Sequence, residues 1–415
     1  MEIHSSFPRL ILPRLREALE DTPVVLIHGP RQCGKSTLAG MIGEALGFRY
    51  LTFDDENVLA AAESDPIGFC KDLPDSAILD EVQRVPGLFR SFKEIVDTDR
   101  RPGRLILTGS ANVLLLPELS DSLAGRMEVL RLGPLTQAEI ARLPSPPSFL
   151  NAVFGAVPYV QHLQRQGDEL IRRVVTGGFP PVVLRSSERR RRVWLEQYSE
   201  ALVRKDVRDF TRIRSLEVLP RLLEVAAAHT AELFVSTDLA APFELSRPTI
   251  REYVAVLEAL FLLERLPPWH SNRLTRMIKT PKLHMVDTGL ASALLGMNQE
   301  SLRKERPLFG HLLESFVYQE LRRLASFSEH RHRFHHFRDK EKKEIDVVIE
   351  RDGASVAGVE VKASSTVLPK DFQGLIKLRD AMGERFVQGV VMYDGENVLP
   401  FGDRLYAVPI ASLWS

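Results

Sequence analysis

Apolar and polar positions follow a simple rhythm along the first third of the chain. Short apolar runs end in small or charged residues, with helix-competent stretches between them. The runs are Val24–Ile27, Ser76–Glu81, Arg104–Ser110 and Met127–Leu132. Runs this short and uninterrupted predict buried strands. Strands alternating with helices predict an α/β domain on a parallel sheet, with ligands at the carboxyl ends of the strands. A Pro/Ser-rich break, Leu143–Ser148, closes this region.

Beyond the break the pattern turns helical. A turn at Thr176–Pro181 is followed by four arginines, Arg189–Arg192, by Trp194, and by a charged helix over Ala201–Phe210. Four successive arginines point all round a helix and read mainly as a solvated face, with nucleic-acid contact as the alternative. Further on, Ser236–Ala241 predicts a short helix and Pro242–Leu245 a turn. Ser246 is placed to cap a longer helix, Arg247–Leu260. Pro248 suits the first turn of that helix, where its missing N–H is not needed. Short helix, turn and longer helix, with Arg247, Thr249 and Arg251 at the front, is a helix-turn-helix layout. Phe261–Leu263 and the turn at Pro267-Pro268 would supply a wing. A helical hairpin used only for packing is the alternative, because Glu252 and Glu258 suit a DNA groove poorly. In the last hundred residues a helix carries Glu314. Two strands, beginning near Glu344 and ending at Glu360-Val-Lys362, flank a hairpin signal at Asp352-Gly353. The expected domains are 1–143, 149–304 and 305–415.

At 415 residues, 44% hydrophobic and 27% charged, the chain has the composition of an ordinary globular protein with two or three cores. Its 55 basic and 55 acidic residues cancel, so only local clusters can argue for nucleic acid. Two cysteines, Cys33 and Cys70, cannot build a zinc site alone and suit a reducing cytoplasm. No run reaches membrane-spanning length, and Met-Glu-Ile-His-Ser-Ser lacks the layout of a signal peptide.

The most specific chemistry lies just after the first run. Gly29-Pro-Arg-Gln-Cys-Gly-Lys-Ser36 fits the phosphate-loop template G-x-x-x-x-G-K-[ST] at every fixed position. Its glycines let backbone N–H groups approach a triphosphate, and the following helix adds partial positive charge. Gly29, Pro30, Arg31, Gln32, Cys33, Gly34, Lys35, Ser36 and Thr37 are therefore expected to bind ATP. Lys35 would neutralise the β/γ-phosphates and Ser36 would hold Mg²⁺. The second run ends in Asp80-Glu81. Asp80 is expected in the magnesium shell and Glu81 on the attacking water. Thr108, Ser110 and Asn112, at the end of the third run, could reach the γ-phosphate or its water.

Together the phosphate loop, Leu79-Asp-Glu81, Leu107-Thr-Gly-Ser110 and Ser122-Leu-Ala-Gly-Arg126 resemble a family of prokaryotic AAA+ ATPases. The resemblance implies ATP hydrolysis and assembly into a ring or spiral. It implies that Ser110 senses the γ-phosphate and that Arg126 is an arginine finger supplied by a neighbouring subunit; Arg126 could equally be a surface arginine. It also implies a winged helix after the ATPase domain. Thr280–Leu290 is similar to the domain of unknown function that follows the ATPase in that family.

In the last domain, Glu360 and Lys362 lie two apart on a strand and so share a face. A two-residue loop would put Asp346 opposite Val359, and hence put Glu360 on the other face. A three-residue loop, Asp352–Ala354, would instead pair Asp346 with Glu360. With Glu314 approaching from its helix, those carboxylates and Lys362 would suit Mg²⁺ and an activated water. The pattern resembles the PD-(D/E)xK nuclease superfamily; an inactive nuclease-like fold or an ordinary charged hairpin are the alternatives. Arg331–Arg338 contains three histidines without a fourth ligand and reads as a half-buried basic strand rather than a zinc site.

The expected whole is an α/β AAA+ ATPase using ATP and Mg²⁺, followed by a helical, winged-helix domain and a nuclease-like α/β domain. It would be cytoplasmic and oligomeric and would bind and remodel or process DNA. An ATP-driven signalling or scaffolding switch and a protein-remodelling machine are the rivals.

Overall fold

The computed structural model describes residues 7–110, 125–210, 217–243, 245–269, 280–339, 341 and 343–415, with the side chains of 204–210 outside the description. The chain divides into two compact units, Arg9–Leu135 with 259–261, and residues 136–258 with 262–415 and the first eight.

The first unit is built on five parallel strands: β1 (Val24–His28), β2 (Arg49–Thr52), β3 (Ala77–Asp80), β4 (Leu105–Gly109) and β5 (Met127–Arg131). Their order is β2-β3-β4-β1-β5. Strands β1, β3 and β4 are buried along their whole length, which is why each reads as an unbroken apolar run. Edge strand β2, Arg-Tyr-Leu-Thr, is half exposed and carries no such signal. One face is sealed by the amphipathic helix Leu88–Thr98, whose Leu88, Phe89, Phe92 and Val96 pack with Val24, Leu26, Leu79 and Leu107. The decisive feature is β4, which lies between β1 and β3. It brings its own carboxyl end between the loop after β1 and the acids ending β3.

The second unit holds two sheets. Strands β6 (Glu232–Leu233), β7 (Leu263–Leu266) and β8 (Lys282–Met285) form an antiparallel sheet with β8 in the middle. The helix Val218–Ala228 precedes β6, and the helices Ser236–Ala240 and Arg247–Ala259 lie between β6 and β7, the latter two as the sequence pattern predicts. Ser246 accepts from the Thr249 N–H at 3.3 Å and so caps the third of these.

The larger sheet is mixed and contains β9 (His332–Arg338), β10 (Glu344–Arg351), β11 (Ser355–Lys362), β12 (Phe386–Tyr393), β13 (Leu399–Gly402) and β14 (Leu405–Pro409). Its order is β13-β14-β12-β11-β10-β9. Ile345, Val348, Val356 and Val391 pack with Leu375 and Leu378 of the helix Gln373–Met382 in its core. The expected boundary at 304/305 falls inside this unit. The reason is the helix Arg306–Ala325, twelve of whose side chains are buried. It packs both on β11 and on the helices Asp168–Thr176 and Thr288–Leu294.

Asp287, just beyond β8, is buried. Its carboxylate accepts from the Leu290 N–H at 3.0 Å, capping the helix Thr288–Leu294, and from the Gly178 N–H at 2.7 Å. Gly177 has φ +67°, and a Cβ there would meet Asp287 Oδ1 at 2.2 Å, which accounts for the first glycine of the turn. Asp287→Ala orphans two buried N–H groups and should cost about 3 kcal/mol of stability in urea unfolding. A loss below about 0.5 kcal/mol would show that the carboxylate does not carry this junction.

Candidate functional site

The phosphate loop lies between β1 and the helix Lys35–Leu46. Gly29 is buried, and a Cβ there would sit 1.9 Å from the Leu132 carbonyl oxygen. Gly34 adopts φ +99° and starts the helix. Glycine is required at both positions for different reasons, a backbone neighbour at one and a left-handed turn at the other. Gln32 also takes a positive φ, 63°. Cys33 is buried and its thiol donates to the Leu132 carbonyl at 3.2 Å, so it is part of the loop's wall. Pro30 is buried, Arg31 is half-buried, and Thr37 is exposed on the first helical turn. Lys35 is 4% exposed, and its ammonium donates to the carbonyls of Gly29 at 3.1 Å and Pro30 at 2.9 Å. The lysine therefore spans its own loop, held where phosphate oxygens can take over those donors.

The sheet order delivers the second half of the site. Ser36 Oγ donates to Asp80 Oδ1 at 2.8 Å. Thr108 Oγ1 also donates to Oδ1, and Tyr50 Oη donates to Oδ2 at 2.7 Å. Burial, reinforced by Asp80, pushes the Tyr50 phenol well above its usual range, so it acts as a donor. Ser36 and Asp80 fit the hydroxyl-plus-carboxylate pair that holds the magnesium of a bound nucleotide triphosphate. Glu81 follows with φ 61°, a strained conformation for a residue other than glycine, and its N–H donates to Thr108 Oγ1 at 3.2 Å. The Gln83 amide donates both to Glu81 Oε2 and, at 3.0 Å, to Ser110 Oγ. Glu81 and Ser110 are thus joined through one side chain.

Three contributors were missed from sequence. Tyr50 sits on the edge strand with no local signal, and Gln83 hides in a short 3₁₀ turn. Arg9 lies far upstream, yet donates to the Cys33 carbonyl at 2.6 Å and the Gly133 carbonyl at 2.8 Å. Thr108, one of the residues that could reach the γ-phosphate or its water, braces Asp80 and the Glu81 backbone. Asn112 and residues 122–124 lie outside the described residues. Arg126 makes a two-pronged pair with Asp97, at 2.8 and 2.9 Å. It precedes β5, whose register places Met127 beside Val24 and Arg131 beside His28. Arg126 is therefore about 20 Å along the strand from the level of Gly29, where the phosphate loop begins.

In the second unit, β10 and β11 pair Arg351 with Ser355 and Val347 with Val359. The loop is Asp352–Ala354, with Asp352 and Gly353 left-handed and the Ala354 N–H donating to Arg351 at 3.1 Å. Continued by one residue, this register sets Asp346 opposite Glu360 on one face, as the three-residue loop requires. The ladder ends there because the Val361 N–H turns to Asp346 Oδ2 at 2.9 Å.

The expected metal position is nevertheless filled by a cation from elsewhere. The Lys282 ammonium, on β8, lies 2.7 Å from Glu314 Oε1, 2.9 Å from Glu344 Oε1 and 3.2 Å from Asp346 Oδ1. Lys362 is turned onto Glu360 Oε1 at 2.8 Å, leaving Glu360 Oε2 buried without a hydrogen-bond partner. Burial and the neighbouring Asp346 raise the Glu360 carboxyl to about 8. Among the described residues no three Asp, Glu, His or Cys side chains are grouped to hold a metal. The expected nuclease metal site at Glu314, Asp346, Glu360 and Lys362 does not fit this arrangement. His335 and His336 are buried on β9 while Arg333 and Arg338 are exposed, as in a half-buried strand.

Residues 21–141 match the family profile of an AAA domain. Residues 167–301 and 309–413 match two domains of unknown function, DUF8612 and DUF4143. An uncharacterized protein of Mycobacterium tuberculosis is 29% identical over 398 residues, covering 95% of this chain and 82% of that protein. An uncharacterized protein of Methanocaldococcus jannaschii is 22% identical, covering 94% and 87%. Among solved structures, a Walker-type ATPase of Pyrococcus abyssi overlaps with a TM-score of 0.43 at 16% identity, covering 71% of this chain and 97% of that one. The amino-terminal part is thus similar to an AAA domain and carries a phosphate loop at residues 29–36. Among the described residues no helix is long and apolar enough to cross a membrane.

Proposed function

We propose that the chain, with an AAA-type ATPase domain at its amino-terminal end, hydrolyses ATP as a homo-oligomer and couples turnover to the grip of a winged helix on DNA. The observation that carries the ATPase half is the meeting of Lys35, Ser36, Asp80, Glu81 and Ser110 around the end of β4. Lys35 takes phosphate oxygens in place of loop carbonyls and counters charge on the β- and γ-phosphates. Ser36 and Asp80 would hold a magnesium ion bound with the nucleotide, which would supply neutralisation of the charge on those oxygens. Glu81 orients and polarises the attacking water, and Ser110, tied to it through Gln83, reports the γ-phosphate.

Support for DNA lies in the run of elements from Val218 to Met285. Among the described residues, helix, short strand, two helices and two strands occur in that order with β8 central, and this order supports the winged-helix reading. On the longer helix, Ile250, Tyr253, Val254 and Leu257 face the core while Arg247 and Arg251 are exposed at its start. Arg247→Ala and Arg251→Ala should each weaken duplex binding at all sequences and lower the salt-dependence slope by about 1. Fluorescence anisotropy on duplex, fork and four-way-junction DNA between low and moderate salt measures both. Unchanged affinity and slope in the double variant would remove this helix from the interface.

The Lys282 geometry favours a second reading, in which the carboxy-terminal fold is an inert module and ATP biases a protein-binding surface. ATP turnover stimulated by DNA supports the first reading. Turnover indifferent to every DNA form, with no binding to any, supports the second.

A further inference from the structure

We infer that the cation of the carboxy-terminal carboxylate cluster is the Lys282 ammonium, built into the chain in place of a divalent metal, so that this domain works without one. An ammonium group has three N–H donors. Here three carboxylates, those of Glu314, Glu344 and Asp346, each present one oxygen to it. Glu314 and Asp346 accept hydrogen bonds from it, and Glu344 completes the ring as an ion pair. The separations, 2.7 to 3.2 Å, are those of N–H···O hydrogen bonds, whereas Mg²⁺ or Ca²⁺ draws oxygens to about 2.0–2.6 Å.

The lysine is also held from behind. Lys282 is paired to Leu266 of β7 on one side and Leu233 of β6 on the other, so its backbone is fixed in a central strand. On the same strand, His284 Nδ1 lies 2.9 Å from Ser315 Oγ, which seats β8 on the helix bearing Glu314. Lys282 is 3% exposed, and a buried ammonium is retained only where opposite charge surrounds it. Burial works against its charge, but Glu314, Asp346 and Glu344 outweigh burial and hold its proton tightly. A divalent ion entering beside it would meet an immovable like charge in a low-dielectric setting.

The remaining members of the cluster are consistent with this. Lys362 faces Glu360 rather than an open metal position. The backbone N–H of Val361 occupies the second oxygen of Asp346. The inference is independent of the DNA reading, since an inert or a DNA-holding module would both use a cluster neutralised in this way.

Mn²⁺ titration followed by the loss of its free-ion paramagnetic resonance signal tests the assignment, on nucleotide-free full-length chain. Wild type and Asp346→Asn should bind Mn²⁺ identically, because no site in wild type uses Asp346. Lys282→Met should gain one Asp346-dependent site, with Kd on the order of 10⁻⁴ M, and Lys282→Arg should gain none. An Asp346-dependent Mn²⁺ site in wild type overturns the inference, and that comparison needs no folded Lys282 variant. A folded Lys282→Met chain that binds no additional Mn²⁺ also overturns it.

Discussion

The Glu81→Gln chain is expected to bind ATP and keep it. The substitution preserves shape but removes the basic oxygen that polarises water, so single-turnover hydrolysis should fall about 10²- to 10⁴-fold. Nucleotide affinity should hold, because the groups that grip phosphate lie on the other side of β4. Lys35→Ala should behave oppositely and fail first at binding, since the 4%-exposed ammonium that spans the loop is the main counter-charge there. Filter binding of labelled ATP, followed by chase and product analysis, separates the two. Full turnover by Glu81→Gln would end the assignment of Glu81 as the water-orienting residue. Gln83 would then be the place to look next, because it contacts both Glu81 and Ser110.

Arg126→Ala should cut turnover by roughly 10³-fold while leaving ATP affinity nearly unchanged. The geometry makes this a statement about two subunits. Arg126 precedes β5, at the opposite end of that strand from the phosphate loop, and is paired with Asp97. As an arginine finger it would therefore act on the γ-phosphate of a neighbouring chain. Mixing Arg126→Ala with Lys35→Ala should restore part of the activity, since each supplies what the other lacks. Turnover per chain that stays constant on dilution to a proven monomer would contradict the finger, and so would failure of the mixture to recover. In that outcome Arg126 is a structural residue paired with Asp97.

Much of this protein was legible in its sequence where one short segment carries a whole physical requirement. The phosphate loop is such a segment: its glycines, lysine and serine each meet a local need, and the loop forms between strand and helix as expected. The buried strands β1, β3 and β4 announced themselves because both faces are covered, so no polar residue interrupts them. The hairpin of β10 and β11 was legible too. Demanding that Asp346 and Glu360 share a face dictated a three-residue loop, and Asp352 and Gly353 supply the left-handed pair that closes it.

Legibility failed where a residue's role depends on what the fold sets beside it. Lys282 and His284 alternate with Leu283 and Met285, a pattern that reads as one wet face and one dry face. Yet all four are buried, because the helix Arg306–Ala325 lays Glu314 and Ser315 over the polar face. Nothing within a few residues of Lys282 foretells Glu344 or Asp346, more than sixty positions away. The same holds for Arg9 on the phosphate loop, for Tyr50 on Asp80 and for Asp287 beneath Gly178. The sequence by itself determined the phosphate loop and the register of the β10–β11 hairpin, because covalent neighbours and side-chain alternation carry both. Tertiary structure alone decided what stands at the centre of the carboxylate cluster, because charge compensation in a buried site is a property of space rather than of the chain.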